Sequence, residues 1–476
     1  MSERITRRKL LQAGAAAAAA AVGGRALAAA AATAPTRAAR VKPNFLFIIC
    51  DQLGLDAIAA HGGKDAATPN LDRLVARGTT FIQSHSTNPV CSPARSSLMT
   101  GCMPVETGVI SNGRPIHPSR LNMGQWLGRH GYETVYCGKW HLPGAYSTKM
   151  PGFTVLPAGR GAREQGDLID AAVSRTCEAY LRGRSGEKPF LLVTSLLQPH
   201  DICYWGQAMP KDRDFVPEAL PFSQLAGRLP ELPPNHKVRP KAPAALERAK
   251  FTRFVSDEQW QYYLYVYSRQ VEMLDSYVGR VLDALEASGR AAGTIVVFTS
   301  DHGDGRGRHT HVSKWYPYEE AVKVPMIVSC PGRIAEGLRD ASHLVSGLDV
   351  MSTFCDYAGV EPPPQARGLS LRPLLEKKGN VPWREFVGSE FRIGGRVIRT
   401  GQYKYVHYKG DPVEQLFDMK ADPWETKNLY DDSSFTGVLT DHRRLLKEWQ
   451  SQLEPVAPTG SKRPKARGRR KETKSK

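Results

Sequence analysis

A chain of 476 residues with 41% hydrophobic content is long enough for one large domain plus a smaller appendage around a sizeable core. Its net charge of +18 divides unevenly: residues 1–40 carry +6 and residues 460–476 carry +8, leaving +4 for everything between. With so much of the charge in the two ends, the composition argues against a specific nucleic-acid-binding face.

At the N-terminus, Thr6-Arg7-Arg8-Lys9-Leu10-Leu11 sets paired arginines ahead of an alanine-rich stretch over 13–32, and Ala26-Leu27-Ala28 offers small residues to a signal peptidase. This resembles a twin-arginine export signal, so residues 1–40 are expected to send the chain to the periplasm or beyond the cell. The stretch is too weakly hydrophobic for a permanent span, and no later segment reads as transmembrane, so no anchor is expected after the signal is removed.

Asn44-Phe45-Leu46-Phe47-Ile48-Ile49-Cys50 is a continuous apolar run that ends abruptly in Asp51-Gln52-Leu53-Gly54. Pro189-Phe190-Leu191-Leu192-Val193-Thr194 and Thr294-Ile295-Val296-Val297-Phe298-Thr299 have the same character. Such runs predict central strands of a sheet covered on both faces. Between the last two, Leu264, Tyr267, Val271, Leu274, Val278, Val281 and Leu285 recur at helical spacing, and Gly289 supplies a stop. Strands alternating with helices predict an α/β fold with a mainly parallel sheet. Residues 205–245, rich in proline and charge, read as a long irregular excursion. Val397, Ile398 and Thr400, then Tyr403, Tyr405 and Val406, predict short strands of a smaller α+β subdomain. The expected organisation is a catalytic domain over 41–375, a C-terminal subdomain over 376–455 and a basic disordered tail over 456–476. None of the eight cysteines lies in a CxxC pair, and most are expected to be small buried residues.

The most specific motif is Val90-Cys91-Ser92-Pro93-Ala94-Arg95-Ser96-Ser97-Leu98-Met99-Thr100-Gly101. It resembles the signature of the sulfatase family, in which the cysteine of C-x-P-x-R becomes formylglycine. The family's late segments are also matched, so the resemblance runs over 42–428, and it implies the alkaline-phosphatase-like α/β fold with a small C-terminal subdomain. It implies sulfuric ester hydrolysis, on a sulfated small molecule or glycan, and a formylglycine-generating enzyme as maturation partner. A hydrated aldehyde at residue 91 explains why a thiol is replaced: one hydroxyl attacks sulfur and the other expels sulfate as the aldehyde reforms. The alternatives are a phosphonate monoester or phosphodiester hydrolase with the same apparatus, and a non-catalytic sulfatase-like binding protein.

By the same resemblance, Asp51, Gln52, Asp301 and His302 hold one divalent metal beside Cys91. Calcium is expected first, and manganese or magnesium are the alternatives because Gln52 and His302 stand where many relatives have Asp and Asn. Gly131-Tyr132-Glu133-Thr134-Val135-Tyr136-Cys137-Gly138-Lys139-Trp140-His141-Leu142 matches a family stretch in which Lys139 bridges residue 91 and the sulfate and His141 orients the hydrate. Gln198-Pro199-His200 matches a Pro-His pair whose histidine touches sulfate. Lys314 is implied on the sulfate or ester oxygen, Arg95 as a brace for the hydrate, and Asn112 and His309 as substrate-binding residues. Asn112 has an equal reading as a turn residue before Gly113, and His311 competes with His309.

Overall fold

The protein is described here by a computed structural model covering residues 42–459, except 145, 159–164, 209–224, 226, 248–253, 255, 378, 380, 392 and 393. The segment expected to direct export and the basic stretch from residue 460 lie outside the described residues.

The main sheet contains β1 (Asn44–Asp51), β2 (Gly78–His85), β3 (Glu133–Gly138), β4 (Thr154–Val155), β5 (Phe190–Pro199), β6 (Thr294–Ser300), β7 (Met326–Ser329) and β8 (Leu338–Ser346). Their order is β4-β3-β5-β1-β6-β7-β2-β8. Every pairing is parallel except those of β7, which runs against both its neighbours. Side chains alternate along β1: Phe45, Phe47 and Ile49 enter one core, and Leu46, Ile48 and Cys50 enter the other. Burial on both faces is why the strand reads as an unbroken apolar run.

Helix α1 (Cys91–Thr100) and helix α4 (Asp349–Ala358) supply Leu98, Met99, Met351 and Phe354 to one core. Helices α2 (Gly166–Gly183) and α3 (Asp257–Ala287) supply Ile169, Val173, Val271 and Val278 to the other. All seven periodic residues of the predicted helix, from Leu264 to Leu285, are buried along α3. The helix begins earlier than that pattern because Trp260 and Tyr263 extend the same apolar face. Ser256 caps it by accepting from Gln259 N at 3.3 Å, and Gly289 follows its end at φ +68°.

Strands β9 (Phe386–Phe391), β10 (Gly395–Thr400), β11 (Tyr403–Tyr408) and β12 (Gln415–Asp418) form an antiparallel sheet in the order β12-β11-β10-β9. One face packs Ile398, Tyr405 and Leu416 against Leu445, Leu446 and Trp449 of α5 (Thr436–Gln452). The other packs Val397, Val406 and Phe417 against Tyr316, Tyr318, Ala321 and Val322 of the β6–β7 connection. Lys404, fully buried, donates to Pro317 O at 3.0 Å and pairs with Glu425 and Glu319. The small sheet therefore backs the loop that carries Lys314.

The 205–245 excursion is not wholly irregular. Helices Ile202–Ala208 and Ala244–Glu247 stand at its two ends, where Trp205 N bonds Asp201 O at 3.0 Å and Leu246 N bonds Pro243 O at 2.8 Å. Val456, read as the start of the tail, donates its N–H to Val105 O at 3.1 Å. All eight cysteines are free thiols, buried except for the half-buried Cys203. Among the described residues no helix is long and apolar enough to cross a membrane.

Candidate active site

Parallel strands bring their C-terminal ends to one edge of the sheet. Asp51 closes β1, Lys139 follows β3, His200 follows β5, and Asp301 and His302 follow β6. Two glycines let the backbone close up behind these residues. A Cβ on Gly138, at φ +104°, would lie 1.9 Å from Ser195 O, and one on Gly303 would lie 2.0 Å from Glu320 O.

Cys91 opens α1 and is 1% exposed. Its Sγ lies 3.0 Å from Lys314 Nζ, 3.2 Å from His302 Nε2 and 3.7 Å from Asp51 Oδ1. Burial and Asp51 push the thiol up, but Lys314, Lys139 and His302 outweigh them and hold it well below its ordinary value. The helix N-terminus favours negative charge at the same point.

One turn along α1, Arg95 spreads its guanidinium across both metal-side carboxylates. Nε donates to Asp301 Oδ2 at 2.8 Å, Nη2 to Asp51 Oδ2 at 3.1 Å, and Nη1 to Ser195 Oγ at 2.8 Å and Lys139 O at 3.2 Å. A planar fork meets four acceptors that a lysine could not reach together. Burial resists ionisation of Asp51, yet Lys139, His200, Lys314 and Arg95 hold its carboxyl well below the usual range. Burial and repulsion from Asp51 lift Asp301 to about 6.

Lys139 is fully buried, with Nζ 2.8 Å from Asp51 Oδ2. That approach is misaligned for a hydrogen bond, so the ammonium has no hydrogen-bond partner, and neither do His141 Nδ1 and His200 Nδ1. Burial, with Lys314 and Lys139 close by, lowers His200 to about 4 and leaves it neutral. Gln52 and His141 both adopt left-handed backbone, at φ +73° and +62°. Such conformations cost a non-glycine residue about 1–2 kcal/mol and tend to cluster at functional sites.

The family model described as Sulfatase matches residues 43–360. The chain belongs to the sulfatase family. A second model, described as the C-terminal region of N-sulphoglucosamine sulphohydrolase, matches residues 307–452 of this sulfatase. A Δ4,5-hexuronate-2-O-sulfatase of Bacteroides thetaiotaomicron is 31% identical over 439 residues, which is 86% of this chain and 89% of that protein. A choline-sulfatase of Rhizobium meliloti is 29% identical over 436 residues, 82% of each chain. The structure of a 2-O GAG sulfatase superposes with a TM-score of 0.76 at 29% identity, covering 87% of this chain and 95% of that one. The phosphonate monoester hydrolase of Agrobacterium radiobacter shares the fold, with a TM-score of 0.71 at 23% identity over 86% and 96% of the two chains. This sulfatase is accordingly a sulfuric ester hydrolase of the alkaline phosphatase superfamily.

Asp51, Cys91, Asp301 and His302 bring one potential ligand atom each within 4.8 Å of one another, all buried. His302 Nδ1 is engaged by Gly303 O at 2.8 Å, which turns Nε2 toward Cys91 Sγ at 3.2 Å and the two carboxylates, where it could bind a metal. Two carboxylates and a free imidazole nitrogen fit a divalent cation. Gln52 follows Asp51 directly: its Oε1 accepts from Lys314 Nζ at 2.8 Å, and its Nε2 donates to Asp304 Oδ2 at 2.6 Å. Asn112 is exposed and accepts from Ser92 N at 2.9 Å, beside residue 91. His309 is buried elsewhere along the loop, with Nδ1 on Val238 O at 2.8 Å, Nε2 on Asn235 Nδ2 at 3.1 Å and its ring 4.4 Å from that of Tyr318. His311 stacks on Tyr316 at 3.9 Å.

The sequence reading passed over several supporting residues. Ser195 receives the Arg95 fork but lies inside an apolar strand. Asp304 holds Gln52 and accepts from Tyr263 Oη at 2.8 Å, while Tyr267 Oη donates to Gln52 O at 2.8 Å. The one available signal was the repeat of acid in Asp301-His302-Gly303-Asp304.

Proposed function

We propose that this sulfatase removes sulfate from a sulfated sugar of a glycan, outside the cytoplasm, with formylglycine at residue 91 and one calcium ion held by Asp51, Gln52, Asp301, His302 and residue 91. The observation that carries this reading is the group of buried polar atoms near Cys91 that lack a hydrogen-bond partner: Lys139 Nζ, whose close contact is its ion pair with Asp51, and the Nδ1 atoms of His141 and His200. Buried polar atoms are ordinarily satisfied, and a sulfate group brings the oxygens these need. Relatives named for sugar sulfates support the glycan, among them the hexuronate-2-O-sulfatase and an N-acetylglucosamine-6-O-sulfatase of the same species.

When bound, the metal supplies a Lewis acid that favours an oxyanion at residue 91. Formylglycine supplies a nucleophile that needs no separate hydrolysis to be regenerated. The remaining work belongs to side chains of this chain. Arg95 fixes Asp51 and Asp301 so that neither turns away when its partner atoms change. Lys139 and Lys314 hold the sulfate oxygens and stay on them as charge builds during S–O cleavage. His200 is neutral before substrate arrives. The charge of a bound sulfate opposes the two lysines and raises its proton affinity, so it protonates the leaving oxygen. A diester carries an organic group where Lys139 and His141 expect an oxygen, which favours the sulfate monoester over the phosphodiester.

The test is sulfate release from sulfated mono- and disaccharides, including unsaturated 2-O-sulfated uronates, set beside a matched aryl sulfate and aryl phosphodiester. Release from an aryl sulfate but from no sulfated sugar would remove the glycan from the proposal. A higher kcat/KM on the diester would remove sulfate itself. Elemental analysis of the purified protein checks for calcium.

A further inference from the structure

A cavity of about 230 Å³ forms where the segment after β1, the β2–β8 edge, the 301–325 loop and the C-terminal sheet meet. None of the residues assigned to the active site lines it. Its charged lining consists of Arg308, Lys323, Arg339 and Arg399 against Asp56 and Glu319. Both carboxylates are already shared. Asp56 pairs with Arg306 as well as Arg308. Glu319 Oε1 lies 3.3 Å from Lys404 Nζ and 3.7 Å from Arg399 Nε, and its Oε2 lies 3.9 Å from Lys323 Nζ. Four cations therefore line the cavity against two anions; Asp56 also answers Arg306, and Glu319 shares Lys404 with Glu425.

Unsatisfied donors point to what is missing. Arg399 is 4% exposed; its Nη1 donates to Thr400 O, its Nη2 reaches Gln83 Oε1 only at 3.4 Å, and its Nε has no hydrogen-bond partner. His61 also lines the cavity, and neither of its ring nitrogens has a partner. Burial and Arg339 keep that ring neutral, lowering it to about 4, so one nitrogen carries an N–H free to donate. Arg339 and Pro423 are exposed at the rim, so the cavity can be reached from solvent. Its volume is far above the ~10–15 Å³ that one water occupies.

We propose that this cavity binds an oxyanion: a sulfate or carboxylate group presented by another sugar of the polymer being desulfated, or free inorganic sulfate. The polymer source rests on the glycan reading above, whereas inorganic sulfate binding does not. Arg399 supplies the buried donor, His61 a neutral N–H, and Arg339 the charge at the entrance.

Two variants of the full, metal-loaded enzyme test this, Arg399→Gln and Arg339→Gln. Arg339 is exposed, so its variant keeps the test alive if Arg399→Gln folds poorly. The kcat/KM for a small aryl sulfate should stay within about twofold of wild type in both, which reports an intact catalytic centre, because neither residue touches it. Calorimetric titration with sodium sulfate should show in the wild type a site beyond the one read from competitive inhibition, weakened about tenfold or more in the variants by loss of a charge-assisted donor. With a sulfated oligosaccharide, KM should rise by about the same factor at constant kcat. Loss in the titration alone supports the site with free sulfate as its ligand; a rise in KM alone supports it with a polymer group. Variants that match the wild type in both assays overturn the proposal.

Discussion

Replacing Lys139 with alanine is the sharpest test of how the centre handles sulfate. The ammonium is fully buried 2.8 Å from Asp51 Oδ2, but it is not that carboxylate's sole partner. Arg95 Nη2 remains at 3.1 Å and Lys314 Nζ at 3.8 Å, so Asp51 stays compensated. The fold should therefore escape the roughly 3–5 kcal/mol loss that follows when a buried charge is stranded. What disappears is a preset donor facing oxygens that gain charge as the ester breaks. Removal of one such donor costs about 10²–10³ in kcat, or about 3–4 kcal/mol. Initial rates of formylglycine-bearing Lys139→Ala on an aryl sulfate should fall by about that factor, while its diesterase rate changes by less than about tenfold. A melting curve alongside separates chemistry from folding. Sulfatase activity within tenfold of wild type, in a variant that folds normally, would refute the reasoning.

Three further outcomes follow from the same geometry. Peptide mass spectrometry should find residue 91 as formylglycine in protein from a host with the modifying enzyme, and a free thiol in fully active protein would end that mechanism; because Cys91 is 1% exposed, enzyme added to the folded thiol form should convert almost none of it. Asp301→Ala should abolish activity and lower metal content below about one ion per chain, and chelated wild type should lose activity and regain it with calcium. Glu390 is 3% exposed with burial lifting it to about 7, so the native state holds its proton more tightly than the unfolded chain. Its contribution to stability is present below its ordinary 4.5 and lost as pH rises through about 7. Glu390→Gln should therefore raise the denaturant midpoint relative to wild type near pH 8 and not near pH 4, and equal midpoints at both would count against it.

Much of the fold was legible because its decisive features are local. A double-faced strand such as β1 announces itself as an apolar run, and the acid at its end marks the edge where the chain leaves the sheet. Cys91 and Arg95 share one helix, so their spacing could be read directly. What stayed hidden depends on contacts distant in sequence. Ser195 reads as an ordinary strand residue until α1 delivers a guanidinium to it. Tyr263 meets Asp304 only because α3 packs beneath the loop. Spacing from Asp301 marked His309, but spacing cannot tell which local partners a ring finds. At φ +50° its ring nitrogens meet Asn235 and Val238. The pairing of Lys404 with Glu319 and Glu425 was equally invisible, since it joins elements 85 and 21 residues apart.

The reversed strand β7 has a consequence for how such an enzyme can diversify. A parallel neighbour would oblige the chain after β6 to travel the length of the sheet before re-entering. With β7 inverted, Thr299 pairs with Met326, and residues 301–325 depart and return at one rim. Both ends of the loop are thereby anchored at the rim that carries the catalytic side chains, and Lys314 between them stays within reach of Cys91. Changes of length or side chain on either side of that lysine could alter what surrounds it while strand registers, and the metal-side residues at the loop's base, keep their places.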